Sequence, residues 1–191
     1  PLYSSAASDV YKRQKYPDKF GAKVFKISRD AQGNRLAFLK ITGGSLKVKM
    51  PVNDTEKINQ IRIYSGEKFT TSDELSSGCI CAVTGLESSM AGDSLGIENN
   101  SCIPLLEPVL TYKLLLPDGV DALEMLPKLR MLEEEHPELH VVWNELLKEI
   151  QIQIMGAVQI EIVKDIILKR FNVDVSFGQG NIIYKLSLIH I

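Results

Sequence analysis

Hydrophobic and polar positions alternate along the first half of the chain and change period in the second. Residues 22–28 form a compact apolar and basic run, and Asp30, Gln32, Gly33 and Asn34 after it supply turn chemistry. Residues 35–42 make a second strand, ended by Gly43 and Gly44. Leu46, Val48, Met50 and Val52 then alternate with Lys47, Lys49 and Pro51, the pattern of a strand with one wet face. Residues 57–64 alternate again, with Ile61 and Ile63 opposite Arg62 and Tyr64. Residues 78–84 are a nearly continuous apolar strand bounded by Gly78 and Gly85, and Gly92, Asp93 and Ser94 mark another turn. Short strands at this spacing, without a helical period, predict an all-β unit that is a closed barrel or a sandwich. A barrel leaves no exposed edge and suits a unit of this length.

Beyond Pro108 the periods alternate between two and about four. Leu110, Tyr112, Leu114 and Leu116 line one strand face, and Pro117, Asp118 and Gly119 end it. Leu123, Leu126, Leu129 and Leu132 predict a helix with Asp121 and Glu124 as a capping pair. Pro127 conflicts with a straight helix from Asp121, because its ring has no amide and clashes with the carbonyl four residues back. The expectation is a kink there, or a helix that starts close to Pro127, closed in either case by His136 and Pro137. Leu139, Val141 and Trp143 alternate with His140 and Val142, and after a turn Ile150, Ile152 and Ile154 alternate with Gln151 and Gln153, which predicts a hairpin. After Gly156 a second helix follows with Val158, Ile162, Val163, Ile166 and Ile167 as its apolar stripe. Residues 173–177 form a last strand and 181–185 start another. The order βαββαβ is the split, ferredoxin-like arrangement: an antiparallel sheet with both helices on one face.

The ends stand apart from this pattern. Residues 9–14 can be encoded by GAT GTG TAT AAG AGA CAG, and the reverse complement of that string translates as Leu-Ser-Leu-Ile-His-Ile, which is residues 186–191. Two ends that are the two strands of one oligonucleotide look like a library insert between transposase adapters. Residues 1–14 and 186–191 are therefore set aside as non-native, as a fusion scar would be, and the native protein is expected to continue past both. The organisation expected is a β-barrel domain over 15–105 and a ferredoxin-like domain over 106–185, joined at Leu106, Glu107 and Pro108.

Composition narrows the function classes. The chain is 45% hydrophobic and 24% charged, ordinary for a globular protein. No apolar run reaches the roughly 20 residues of a membrane helix, so no membrane partner is expected. Residues 15–106 hold 12 basic and 10 acidic side chains, and residues 107–185 hold 8 and 13. That is not the basic field of a free-standing nucleic-acid binder, and no DNA partner is expected; any RNA contact has to come from local patches. Three cysteines, Cys79, Cys81 and Cys102, are too few for a disulfide framework and fit a reduced, cytoplasmic protein.

No catalytic constellation emerges. There is no Gly-x-x-x-x-Gly-Lys-Ser/Thr phosphate loop. Gly178-Gln179-Gly180 has no helix after it and reads as a turn. His136 and His140 have the spacing of a zinc pair on a helix, but Pro137 lies between them and their contexts are a helix end and a strand, which argues against a metal site. Cys79 and Cys81 share a strand face and read as small buried apolar groups. The fragment is thus expected to have no enzymatic activity, no metal and no cofactor of its own.

Several stretches, in order, resemble one family. Residues 33–46, Gly-Asn-Arg-Leu-Ala-Phe-Leu-Lys-Ile-Thr-Gly-Gly-Ser-Leu, look like the early barrel motif of elongation factor G. Ala82-Val83-Thr84-Gly85-Leu86 with Gly92-Asp93-Ser94-Leu95 is similar to that family's closing strand and turn. Leu106-Glu107-Pro108-Val109 resembles the opening of its third domain. Residues 155–162, Met-Gly-Ala-Val-Gln-Ile-Glu-Ile, look like its Met-Gly-Glu-Leu-His-Leu-Glu signature, and Phe171-Asn172-Val173 is similar to its Phe-Gly-Val step. The chain departs at Leu46-Lys47-Val48-Lys49-Met50, where the family has Leu-Lys-x-Gly-Asp, and at Ala157, Val158 and Gln159. These departures, with Leu-Glu-Pro-Val-Leu-Thr-Tyr at 106–112, resemble the tetracycline-resistance ribosomal protection branch more than a housekeeping elongation factor.

The resemblance implies an internal fragment, domains II and III, of a ribosome-associated translational GTPase. A GTPase domain binding GTP and magnesium would precede it, and tail domains would follow. The barrel would pack on the GTPase domain and touch small-subunit rRNA, and the ferredoxin-like domain would sit near small-subunit protein and relay nucleotide state by rigid-body rotation. Arg29, Arg35, Lys40, Lys47 and Lys49 are the candidate rRNA phosphate contacts, being basic residues on adjacent barrel strands; a solvated strand face is the alternative for each. Two other classes stay open: a regulatory ligand-binding protein with an ACT-like ferredoxin domain, and a stand-alone RNA-binding module.

Overall fold

The computed structural model describes residues 16–52, 56–98 and 108–182. The two adapter-like ends, the junction residues Leu106 and Glu107, and the strand expected over 183–185 lie outside the described residues. Contacts divide the chain into two compact units, Pro1–Ile103 and Pro104–Ile191, each with its own core.

The first unit is all-β. Its strands are β1 (Gly21–Arg29), β2 (Arg35–Gly43), β3 (Ser45–Lys47), β4 (Gln60–Ser65), β5 (Lys68–Ser72), β6 (Glu74–Ser76), β7 (Ile80–Thr84) and β8 (Ser94–Gly96). Six of them form an antiparallel sheet in the order β5-β4-β7-β2-β1-β8, and β3 pairs with β6 in a ribbon. The alternation read from the sequence sends Ala22, Val24, Leu39, Ile41, Ile61 and Val83 into one core, where Leu46 of the ribbon joins them. Each fully buried Leu or Ile contributes about 1.5–3 kcal/mol by leaving water. A bulge between Val24 and Lys26 inserts Phe25 into β1 and resets its facing, so that Ile27 rather than Lys26 continues the inward row. The sheet and the ribbon enclose one core, an all-β barrel-type unit as expected.

One expected strand is broken. The alternation over 46–52 holds for burial, since Leu46 is buried and Val48 and Val52 pack half-buried against the core. The backbone, however, leaves the ladder after Lys47 and turns at Val48 and Lys49, where Lys49 has φ +66°. Pairing resumes through Lys49 N–H donating to Ile58 O at 2.7 Å and the isolated bridge Pro51–Lys57. At the other end, Ser94, read as part of a turn, begins β8, while the turn itself lies at Ala91 and Gly92.

The second unit runs β9 (Leu110–Leu115), α1 (Ala122–Glu135), β10 (His140–Asn144), β11 (Glu149–Ile154), α2 (Val158–Phe171) and β12 (Ser176–Ile182). The sheet order β10-β11-β9-β12, antiparallel throughout, is the ferredoxin-like topology. Val141, Ile150, Ile152 and Ile154 form its buried face with Met125, Leu129, Leu132, Val163 and Ile167 from the helices.

Three expectations about this unit are revised. First, of the two alternatives at Pro127 the later start is overturned: α1 begins at Ala122, five residues before Pro127, with Asp121 as N-cap accepting from Leu123 N–H at 3.0 Å. A side-chain cap and a core-facing stripe hold the first turn although Pro127 offers no amide to the Leu123 carbonyl. Second, the stripes are shifted. Met125 rather than Leu123 is buried, and Leu123 is 60% exposed; on α2, Val158 is 76% exposed and Ile162 also faces out. Helical period locates a stripe only to within a residue or so, because packing chooses among neighbouring apolar positions. Third, residues 176–182 are one strand rather than two runs with a turn at Gly178-Gln179-Gly180. The glycines sit at a register shift between Phe177 and Gly180, where a Cβ on Gly180 would strike the Tyr112 ring.

Candidate nucleic-acid interface

The five basic residues singled out above do not form one patch. Arg29 and Arg35 are cross-strand partners at the hairpin end of β1 and β2. Arg35 lies on the face of Ala37, Leu39 and Ile41, so its side chain starts toward the barrel end rather than the wet face. Its guanidinium donates from Nη1 to Leu86 O at 2.5 Å and from Nη2 to Ser89 O at 2.6 Å. Arg29 donates from Nη1 to Gly33 O at 3.4 Å. Lys40 is five residues further along β2, roughly 17 Å at strand rise, opposite Lys23, and is exposed. Lys47 lies on the ribbon and pairs with Glu74 at 3.2 Å. A Ser45 hydrogen bond and the Lys47 ammonium hold the Glu74 carboxyl below its usual range. Lys49 is exposed at the turn that ends the ribbon strand.

The loop that Arg35 holds is gripped from the other side as well. Glu56, buried, accepts on Oε1 from the backbone amides of Glu87 and Ser88, both at 2.6 Å. Carbonyls to a cation and amides to a carboxylate satisfy both polarities of one short segment. A hollow of about 340 Å³ beside it is lined by Asn34, Arg35, Asn59, Arg62 and Thr84.

The sequence reading missed the outer face of the sheet. Phe25, Phe38, Tyr64 and Phe69 form a continuous row of rings across it, with successive centroid separations of 6.4, 5.6 and 5.4 Å. The row spans β1 to β5 because Ala82 of β7 sits between Phe38 and Arg62 in the ladder and fills no space there. Arg62 lies over the Phe69 ring at 4.6 Å, and Lys26 over the Phe38 ring at 6.0 Å. Phe25 is 51% exposed and Phe69 45%. The available signal was the aromatic at one outward position of each of four strands, which only the pairing order assembles.

Among the described residues, no group of His, Cys, Asp and Glu is arranged to hold a metal. His136 and His140 are each turned to a carboxylate instead, Glu138 at 3.2 Å and Glu133 at 3.5 Å. Cys81 is buried and its thiol is pushed up to about 12 by desolvation. No helix among the described residues is long and apolar enough to cross a membrane.

Comparison with known proteins gives the two units a common context. A family model described as Elongation factor G domain 2 matches residues 19–97, and one described as Elongation Factor G, domain III matches residues 105–179. The chain is 29% identical to an elongation factor G from Amoebophilus asiaticus (strain 5a2) in an alignment that takes in 98% of this chain, reaching into the terminal segments, and 28% of that protein. It is 28% identical to the tetracycline resistance protein TetP of Clostridium perfringens, over 85% of this chain and 26% of that protein. The chain thus spans little more than a quarter of the length of the relatives it matches. A crystal structure of a Thermus thermophilus protein has the same fold, with a TM-score of 0.68 and 23% identity over 85% of this chain and 26% of that one.

Proposed function

The chain belongs to the elongation factor G family, and on that premise we propose that it is the ribosome-facing, coupling middle of a translational GTPase. The observation that carries this reading is the pair of consecutive family matches, domain 2 then domain III, falling on two separately cored units of the types those domains require. The barrel contacts small-subunit rRNA, and the ferredoxin-like unit lies near small-subunit protein, in the cytoplasm where translation runs. GTP and magnesium are held by residues outside this chain.

Within the family we place the protein on the ribosomal protection branch. The support is residue-level: the lysine-bearing turn Lys47-Val48-Lys49 after the Gly-Gly step, and residues 106–112. Similarity alone does not separate the branches, since TetP and elongation factor G match at 28% and 29%.

Two experiments test these claims. The full-length gene product should pellet with ribosomes in the presence of a non-hydrolysable GTP analogue, and its absence from the pellet would end the ribosome reading. Its expression in a sensitive host should raise tetracycline tolerance, and unchanged tolerance would remove it from the protection branch, leaving an elongation factor or a diverged paralogue that confers no resistance. The 191-residue chain by itself should neither bind nor hydrolyse GTP.

A further inference from the structure

The outer row of rings has a composition that a folding role does not account for. A structural cluster would bury its rings, whereas the two end members, Phe25 and Phe69, are about half exposed. Cations flank the row at one end. Lys26 sits on the Phe38 ring face, whereas Arg62, on the Phe69 ring, is paired with Asp30 at 3.0 Å and adds no net charge. Lys23 and Lys40, cross-strand partners, lie one outward position further along. Lys23 has Glu98 at 3.6 Å, while Lys40 has no carboxylate partner among the described residues. Ile80, pairing with Lys40, is 57% exposed and extends the apolar strip.

Two classes of partner use exposed aromatics. Protein interfaces combine Tyr, Phe and Arg but are depleted in lysine. Single-stranded nucleic acid is bound by rings that stack on bases, beside ammonium groups that follow the phosphates. Three lysines around four rings fit the second class. A duplex offers no unstacked base and would meet only the lysines.

We infer that the outer face of β1, β2, β4 and β5 is a stacking platform for unpaired RNA bases, with Phe25 and Phe69 as the stacking rings and Lys26 and Lys40 as the phosphate contacts. This deepens the ribosome reading by naming what kind of RNA the barrel takes, and it is tested without ribosomes, so either can fail alone.

The test is fluorescence anisotropy of the 191-residue chain with a labelled oligouridylate of about 12 nucleotides, an RNA duplex of the same length and a poly-glutamate peptide, at low and moderate salt. Single strand should bind more tightly than duplex. Phe25→Ala with Phe69→Ala should weaken the single strand by about tenfold or more and leave the duplex unchanged. Because both rings are exposed, circular dichroism should show the fold intact. Lys26→Gln with Lys40→Gln should lower the magnitude of the slope of log affinity against log salt by about 1.4, roughly 0.7 for each phosphate contact on a single strand. Equal loss for duplex and single strand, indifference to ring removal, no single-strand binding at low salt, or ring-dependent binding of poly-glutamate would each overturn the inference.

Discussion

Arg35 and Glu56 hold one four-residue loop by its two polarities: the arginine takes the carbonyls of Leu86 and Ser89, the glutamate takes the amides of Glu87 and Ser88. The two side chains come from separate segments of the barrel. The clamp therefore ties the start of β2 and the approach to β4 to the segment that follows β7.

Removing either half takes the charged partner from part-buried backbone groups. Glu56→Ala should cost about 1.5–3 kcal/mol in urea unfolding, the range for hydrogen bonds to charged groups. Arg35→Lys should cost nearly as much as Arg35→Ala, since one ammonium cannot reach both carbonyls with the geometry of a guanidinium fork. Hydrogen exchange at the Glu87 and Ser88 amides should accelerate in Glu56→Ala before global stability accounts for it. Unchanged exchange would mean the loop holds itself.

The shifted stripe of α1 gives a paired substitution. Met125→Ala should destabilise by about 2–5 kcal/mol, as for other fully buried methionines, and Leu123→Ala by less than about 0.5 kcal/mol, as at exposed sites. Thermal or denaturant melts of the two variants check this. The reverse ranking would restore the facing read from sequence.

Two glycines share a positive φ but not a neighbourhood. At Gly85, φ is +101° and a Cβ would run into the Lys57 carbonyl, whereas at Gly66, φ is +64° with open space around it. Gly85→Ala should cost about 3 kcal/mol or more, since backbone must move as well as strain. Gly66→Ala should cost only about 1–2 kcal/mol, the left-handed penalty by itself. Equal losses in unfolding would show that the contact at Gly85 relaxes freely.

Asp30 sets an acid limit. Its carboxyl is lowered from the ordinary 3.8 to about 2, first by the Asn34 side-chain amide, then by Arg62 and the backbone amides of Asn34 and Gln32, against an opposing effect of desolvation. A carboxyl whose folded pKa is depressed contributes stability that is present above the unfolded value and lost as pH falls through the folded one. The urea midpoint should therefore drop between about pH 4 and pH 2, and Asp30→Asn should show a shallower drop over that window. Parallel profiles for the two proteins would contradict the assignment.

Cys81 should resist alkylation in the native state, because it is buried and its thiol titrates only near 12. Cys79, half exposed, should react first. Mass spectrometry of partial iodoacetamide labelling distinguishes the two, and prior labelling of Cys81 would mean that β7 opens readily.

Much of this architecture was legible in the chain because burial imposes a period on it. Ile150, Ile152 and Ile154 alternate with charged and amide residues, and that alternation means a strand with one wet face wherever it occurs. The same holds for β1, β2 and the order βαββαβ. Turn chemistry was equally local: the Asp30 carboxylate closes its own turn onto Gln32 and Asn34 amides, a bond that needs no distant partner. Less was legible where two local rules compete. Pro127 argued against a helix that the Asp121 cap and the Met125, Leu129 and Leu132 contacts hold together, and the glycines at 178 and 180 argued for a turn where Tyr112 needs space beside an unbroken strand.

By itself, then, the order of residues determined the elements, their approximate ends and the two cores, since hydrophobic period and turn residues act over a few positions. The tertiary structure alone decided what each basic or aromatic side chain faces. Arg35 reads as one more surface cation until the loop at 86–89 is folded over it, and Phe25, Phe38, Tyr64 and Phe69 read as four scattered rings until the pairing of β1, β2, β7, β4 and β5 sets them in a row. The reason is that register and strand order join residues tens of positions apart, and no local period records which of them become neighbours.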